Sequence, residues 1–127
     1  MLINISVSLG ELLDKISILI IKQKNITDHG KLKNINKELE TLNDTLKNYL
    51  KEQEFDFYLK SLLSINTKLW KIEDHIRECE RQKKFDQKFV DLARSVYFTN
   101  DERAKIKNEI NKTFGSELVE VKSYKKY

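Results

Sequence analysis

An unbroken seam of apolar residues dominates the middle of the sequence. From Phe55 to Cys79 an apolar residue recurs at alternating steps of three and four, with no polar interruption. This spacing places the apolar side chains on one stripe of an α-helix, because an α-helix has 3.6 residues per turn. The chain also contains no proline and only 3 glycines among 127 residues, so little in it interrupts a helix. Together these features predict an all-α fold and exclude collagen-like and turn-dense all-β chains.

A second, shorter seam precedes the first and is out of register with it. It runs from Leu32 to Tyr49, and its next position would be Gln53 and not Phe55. A single continuous helix would keep one register, so we predict a tight turn near residues 52–56. The two helices are then expected to fold back on each other as an antiparallel hairpin with coiled-coil packing.

The N-terminal segment predicts a short strand followed by a capped helix. Apolar and polar residues alternate over residues 2–8, which is typical of a strand. Ser8, with Glu11 three residues later, forms a capping-box pattern that predicts a first helix over residues 9–25. That helix carries apolar residues on two opposite faces, so either a second layer of helices or a dimer partner is needed to cover it.

Local signals divide the C-terminal half into two further helices. Asp86 is expected to cap a fourth helix over residues 87–98. Thr99 with Glu102 forms another capping box, which predicts a fifth helix that ends before Gly115.

Residues 118–122 are compatible with a strand and are expected to pair with the N-terminal strand. The predicted architecture is a single domain over residues 1–127. It is an all-α antiparallel bundle of four to five helices with a heptad-packed central hairpin, and a short two-stranded ribbon joins its termini.

The charge of the chain gives little support to nucleic-acid binding. Lys and Arg number 24 against 20 Asp and Glu, and lysines are concentrated in the last six residues. The rest of the chain is therefore nearly neutral, whereas nucleic-acid binders usually carry a basic face. The longest apolar run, residues 18–21, is far shorter than a membrane span, and no secretory leader is apparent. We therefore expect a cytoplasmic protein without membrane or nucleic-acid partners.

Metal binding and nucleophilic catalysis are not predicted. Cys79 is the only cysteine, which excludes a disulfide framework, and it falls on the apolar seam. His75 precedes it by one turn, but a zinc site needs three or four converging ligands. The acidic residues around it resemble the magnesium-binding pairs of all-helical nucleotide pyrophosphatases, yet they fit surface ion pairs as well or better. No glycine loop that cradles a phosphate and no strained nucleophile turn occurs, so no cofactor and no catalytic residue are predicted.

The four arginines form the clearest candidate for a binding site. All of them lie between residues 77 and 103, in a chain whose other cations are lysines. A guanidinium group can hold a carboxylate or a phosphate with two hydrogen bonds, which an ammonium group cannot. Arg94 shares a helix face with Val90 and Tyr97 and is expected to point into the bundle. The candidate ligand-binding residues are Lys15, Lys22, Trp70, Glu73, Arg77, Arg94, Tyr97, Asn100, Asp101, Arg103 and Lys107.

Such a site would suit a small phosphorylated or carboxylated ligand. The arginines would hold its anionic group, and Trp70 or Tyr97 would stack on it. The alternative is structural: Arg94 and Arg103 pair with nearby carboxylates such as Glu73 and fix the last helices to the bundle. The sequence alone leaves both interpretations open.

Several blocks of the sequence resemble an uncharacterised family. They comprise residues 8–16, 69–74, 93–97 together with 100–104, and 115–120. In these blocks the chain resembles, over essentially its whole length, the small helical bacterial and phage proteins of domain of unknown function 6165. The resemblance implies a stand-alone single domain. Because no activity, substrate or cofactor is established for the family, it implies no functional residue.

Two functions are open on this evidence. The two apolar faces of the first helix and the long seam favour a non-catalytic interaction or scaffold protein, which forms a homo-oligomer or binds a helical partner. The arginine cluster favours instead a binding protein or an enzyme for a small anionic ligand. The interaction role is the leading expectation.

Overall fold

Four α-helices and no β-strand make up the structure, a computed structural model that describes residues 1–127. The predicted all-α class is therefore confirmed. None of the helices combines the length and the hydropathy needed to cross a membrane. The helices are α1 (Leu9–Asn25), α2 (His29–Lys47), α3 (Glu52–Arg81) and α4 (Gln87–Thr113).

Side-chain caps fix where three of the helices begin. The Ser8 hydroxyl accepts a hydrogen bond from the backbone N–H of Glu11 at 3.1 Å, and α1 has the bounds that the sequence predicts. The Asp86 carboxylate accepts one from the N–H of Phe89 at 3.3 Å, as expected. Asp28 caps α2 in the same way. Each cap satisfies an N–H group that has no partner inside its own helix.

Two predicted helix boundaries are wrong. The turn before α3 lies at residues 48–51 and not at residues 52–56, because α3 already begins at Glu52. The predicted fourth and fifth helices are one continuous α4. Thr99 does not cap a new helix but lies within α4, where its side chain is almost completely buried. Its burial against the bundle outweighs the local capping signal, since no glycine or proline is present there to stop the helix.

The first helix is the centre of the bundle. It packs against α2, α3 and α4, and α3 also packs along α4. Its side chains Leu13 and Ile16 are fully buried, and Ile21 on the opposite face is buried as well. Helices of the same chain therefore cover both apolar faces. The predicted coiled-coil hairpin between α2 and α3 does not form, because α2 packs on α1 while α3 pairs with α4.

The first and last helices approach each other very closely at Gly10. Its N–H donates to the side-chain oxygen of Asn111 at 2.8 Å. A Cβ atom at this position would lie only 2.5 Å from the backbone oxygen of Lys107. This contact holds the two helices antiparallel, so that Glu11 and Asp14 on α1 face Lys107 and Arg103 on α4.

The predicted ribbon between the termini does not form. We call residues 1–7 the N-terminal arm and residues 117–127 the C-terminal arm; neither makes a backbone–backbone hydrogen bond. The N-terminal arm lies beside α1 and α2. The C-terminal arm follows α4, where Tyr127 donates a hydrogen bond to Asp101. The two segments share the strand-like pattern, but neither forms a strand in the structure.

Candidate ligand-binding site

A buried carboxylate lies at the junction of α1, α3 and α4. The Asp14 side chain is completely buried. It accepts hydrogen bonds from Nε of Arg103 at 2.9 Å, from Nη2 of Arg103, and from Nδ2 of Asn66 at 2.8 Å. A carboxylate removed from water needs such partners, because an unpaired buried charge is very costly. The hydrogen bond with Asp14 raises the pKa of Arg103 and keeps its guanidinium charged, although partial burial acts in the opposite direction.

A second cation, Lys107, extends this arrangement towards the C-terminal arm. Its buried ammonium group lies 2.9 Å from a carboxylate oxygen of Glu11 and 3.0 Å from one of Glu120. Burial by itself would lower the pKa of Lys107, but the hydrogen bonds to Glu11 and Glu120 and the charge of Asp14 together raise it. The lysine is therefore cationic. The members of this buried charge network are Glu11, Asp14, Arg103, Lys107 and Glu120.

A groove opens beside the network, between α1, α3 and α4. It has a volume of about 490 Å³, and we call it the Trp70 groove. Ile18, Ile21, Leu69 and Trp70 supply its apolar lining. Its polar lining consists of Asn66, Glu73, Asp74, Arg77, Asn100 and Arg103. The groove therefore combines an apolar wall with converging polar groups, and small-molecule sites use both kinds of lining.

The two arginines of the groove differ in how their donors are used. Nε and Nη2 of Arg103 bond to Asp14, and its Nη1 lies 3.5 Å from the Asn100 side-chain oxygen. Arg77 has only Glu73 nearby, at 4.0 Å, which is too long for a hydrogen bond. The exposed Arg77 guanidinium therefore keeps its donors available to a ligand. Glu73 and Asp74 beside it supply acceptors.

The structure brings together five of the eleven residues predicted for the site. Trp70, Glu73, Arg77, Asn100 and Arg103 all line the Trp70 groove. A sixth, Lys107, belongs to the network behind it. The other five lie elsewhere: Lys15 beside the N-terminal arm, Lys22 half-buried on α1, and Arg94, Tyr97 and Asp101 on α4 outside the groove.

The prediction that Arg94 points into the bundle is wrong. Its side chain is exposed, with the guanidinium carbon 6.0 Å from the centre of the Phe98 ring. Thr99, Arg103 and Lys107 mark the face of α4 that meets the bundle. Arg94 lies five residues before Thr99, which turns it by about 140° away from that face.

Asp14, the residue at the centre of the network, is not among the residues predicted from the sequence. The sequence does contain a signal for the burial of Asp14. Asp14 precedes Ile18 by four residues and Ile21 by seven, so it lies on the second apolar face of α1. A carboxylate on a face that must be buried requires a cation or several hydrogen-bond donors opposite it. Asn66 and Glu120 gave no comparable signal, because their roles depend on how the helices pack.

The structure offers no evident place for a metal ion. No group of three or more His, Cys, Asp or Glu side chains is arranged to hold one. His75 is exposed on α3, whereas Cys79 is buried in the apolar seam. The side chains that line the Trp70 groove can form hydrogen bonds, ion pairs and apolar contacts.

The chain belongs to a family of unknown function, DUF6165, which it matches over residues 2–127. The resemblance inferred from the sequence blocks is thereby confirmed. No curated protein and no solved structure shows a significant match to the chain.

Proposed function

We propose that this protein binds a small polar ligand with a carboxylate or phosphate group, and that the Trp70 groove is the binding site. The main observation in support of the proposal is that the Arg77 guanidinium has no hydrogen-bond partner in the chain. Its guanidinium lies on the rim of the groove and makes no hydrogen bond within the chain. Free guanidinium donors beside an apolar wall are well suited to a planar anionic group, which they can hold with two parallel hydrogen bonds.

The other side chains of the groove narrow the class of ligand. Trp70 offers an aromatic face to an apolar or ring-shaped part of the molecule. Arg103 contributes little charge, because Asp14 neutralises it. Glu73 and Asp74 add negative charge, which disfavours highly charged anions such as nucleoside triphosphates. The groove thus favours a ligand with one anionic group and several hydroxyl or amine donors, such as a sugar acid, a sugar monophosphate or an amino acid.

A fluorescence titration tests the proposal directly, because Trp70 is the only tryptophan of the chain. Sugar acids, sugar monophosphates and amino acids would be screened for a change in Trp70 emission and for a rise in melting temperature. Arg77→Ala should weaken binding of a ligand found in this way by about 10- to 100-fold, since a charged hydrogen bond contributes about 1.5–3 kcal/mol.

Arg81→Ala is the matched control. Arg81 lies one turn further along α3, outside the groove, and pairs with Glu78 on its own helix. Its removal should leave the affinity unchanged. The proposal fails if no compound changes the Trp70 emission, or if Arg77→Ala binds as tightly as the wild type.

A second candidate function is self-association as an interaction or scaffold protein. The two faces of α1 do not support it, because α2, α3 and α4 cover them. Support comes instead from the N-terminal arm, whose apolar side chains Leu2, Ile3 and Ile5 are largely exposed. Contiguous exposed apolar residues are typical of association surfaces. Light scattering over a range of protein concentrations measures the association, and a monomer at all concentrations would exclude it.

A further inference from the structure

Asn66 presents an unused hydrogen-bond acceptor to the Trp70 groove. The residue lines the groove although only 6% of its surface is exposed. Its side-chain nitrogen donates to the Asp14 carboxylate and to the Ser17 hydroxyl, each at 2.8 Å. Because a carboxylate can only accept, these bonds fix the orientation of the amide and leave its oxygen without a donor from the chain. A buried acceptor without a partner is costly, so this part of the groove favours a ligand with an N–H or O–H donor.

Arg77 and Glu73 line the groove further towards the C-terminal end of α3. They lie one turn apart, where side chains of a helix are neighbours, and both are exposed. The Arg77 guanidinium has free donors, and the Glu73 carboxylate has no ion-pair partner other than Arg77, at 4.0 Å. A donor next to an acceptor matches a ligand whose carboxylate and ammonium groups are bonded to the same carbon atom, as in an α-amino acid.

These two parts of the groove lie on one face of α3, with Trp70 between them. Asn66, Trp70, Glu73 and Arg77 follow one another at steps of four, three and four residues. This spacing places them on a single stripe of the helix. Asn66 and Glu73 are separated by about 10 Å along the helix axis. A ligand that contacts both must be long, and an apolar middle suits its passage over Trp70. The lysine side chain has this form, because a four-carbon stem carries its terminal ammonium group.

The charges of the groove also favour a cationic ligand. The carboxylates of Asp14, Glu73 and Asp74 outnumber the guanidinium groups of Arg77 and Arg103, which leaves one negative charge unbalanced. A basic amino acid carries one net positive charge at neutral pH and would balance it. A sugar acid or a sugar monophosphate would instead add to the negative excess. Arg103 would not strongly repel the cationic end, because Asp14 neutralises it.

We infer that the ligand of the Trp70 groove is a basic α-amino acid such as lysine. Its α-carboxylate binds Arg77, and its α-ammonium group binds Glu73. Its stem packs on Trp70, and its terminal ammonium group donates to the side-chain oxygen of Asn66. The inference rests on the proposed function and specifies the class of ligand that the site takes.

Analogues of lysine test each contact separately. The emission of Trp70 would be titrated with L-lysine and with three compounds that each lack one of its groups. L-Norleucine lacks the terminal ammonium group, ε-aminocaproate the α-ammonium group, and cadaverine the carboxylate. Each analogue should bind about 10- to 100-fold more weakly than L-lysine, because each loses a charged hydrogen bond. L-Norleucine or ε-aminocaproate that binds as tightly as L-lysine would overturn the inference.

A substitution at Glu73 tests the α-ammonium contact from the side of the protein. Glu73→Gln should weaken the binding of L-lysine about 10-fold and leave that of ε-aminocaproate unchanged, since this analogue has no α-ammonium group. Glu80→Gln is the matched control, because Glu80 lies on the same helix outside the groove and pairs with Lys83. It should leave both affinities as in the wild type. Equal weakening of the two ligands by Glu73→Gln would contradict the contact.

The same titrations separate the inference from the proposed function. If a sugar acid or a sugar monophosphate binds in a manner that depends on Arg77 and L-lysine does not bind, the proposed function stands and the inference is refuted. If none of these compounds changes the Trp70 emission, both are refuted. Binding of L-lysine that Arg77→Ala weakens and L-norleucine does not match supports both.

Discussion

Asp14 on the first helix and Arg103 on the last form a doubly hydrogen-bonded ion pair across 89 residues of sequence, in which Asp14 is completely buried and Arg103 is partly buried. The pair lies behind the Trp70 groove, and Arg103 is also part of the groove lining. The geometry of the Asp14–Arg103 pair therefore affects the shape of the groove as well as the packing of α1 against α4. Asn66 on α3 joins the same carboxylate, so three helices meet at one side chain.

Asp14→Ala is expected to be strongly destabilising. It leaves the half-buried Arg103 and the buried Lys107 without this carboxylate, and breaking a buried ion pair typically costs about 3–5 kcal/mol. Urea denaturation followed by far-ultraviolet circular dichroism measures the change in the free energy of unfolding. Asp56→Ala is the control, because Asp56 pairs with Lys60 on the exposed surface of α3 and contributes little. Equal losses in the two variants would contradict the role of the buried pair.

The buried Lys107 should make the free energy of unfolding fall at alkaline pH. Its pKa in the folded protein is above the ordinary value of 10.5, chiefly because the hydrogen bonds to Glu11 and Glu120 outweigh the effect of burial. The stabilisation is therefore complete below the unfolded-state pKa and is lost as the pH rises through the higher folded-state pKa. The free energy of unfolding, measured by urea denaturation at a series of pH values, should decline above about pH 10.5.

Two lysine variants separate this effect from general alkaline unfolding. Lys107→Met should reduce the decline, because the titrating group is gone. Lys105→Met removes an exposed lysine of the same helix and should leave the pH dependence as in the wild type. A decline of the same steepness in Lys107→Met would show that other groups cause it.

The features that sequence analysis predicted correctly are local ones. The caps Ser8 and Asp86 act within four residues of the chain, so their signals do not depend on the rest of the fold. Trp70 and Arg77 are seven residues apart on one helix, which places them on the same side of it whatever packs there. That part of the candidate site could be predicted.

The errors arise where contacts distant in sequence override local signals. The pattern at Thr99 predicts a helix start, but burial in the bundle keeps α4 continuous. The seam of α2 predicts a hairpin with α3, yet α1 offers a larger apolar surface because it is apolar on two faces. Asp14 and Arg103 meet only through the antiparallel packing of α1 on α4, and no spacing in the sequence encodes that pairing.

Gly10 is expected to tolerate no side chain. In Gly10→Ala the new Cβ would lie 2.5 Å from the backbone oxygen of Lys107 and 2.9 Å from the Asn111 side chain, so the two helices must separate. We expect a loss of about 1–3 kcal/mol and a lower melting temperature in calorimetry. Gly30→Ala is the control: its Cβ would meet only the Asp28 side chain, at 3.3 Å. Alanine favours the helix there, so a large loss in both variants would argue against the close approach of α1 and α4.

Tyr127 should ionise at a higher pH than the other tyrosines in a spectroscopic titration. Its hydrogen bond to Asp101, with smaller effects of desolvation and of the Asp101 charge, raises the pKa of Tyr127 to about 12. One of the 5 tyrosines should therefore form phenolate only near pH 12 when followed by ultraviolet absorbance. Because the neutral phenol is the form that is bound, the contact is complete below pH 10 and is lost as the pH rises towards 12.

Substitutions at the partner of Tyr127 assign that step. Asp101→Asn removes the charge and should move the late ionisation towards the ordinary value, and Tyr127→Phe should abolish it. Glu102→Gln is the control, because Glu102 is an exposed neighbour that makes no such contact. Asp101→Asn also releases the C-terminal arm from α4, so proteolysis after Lys125 or Lys126 should become faster. A late ionisation that persists in Asp101→Asn would show that this contact does not hold the arm.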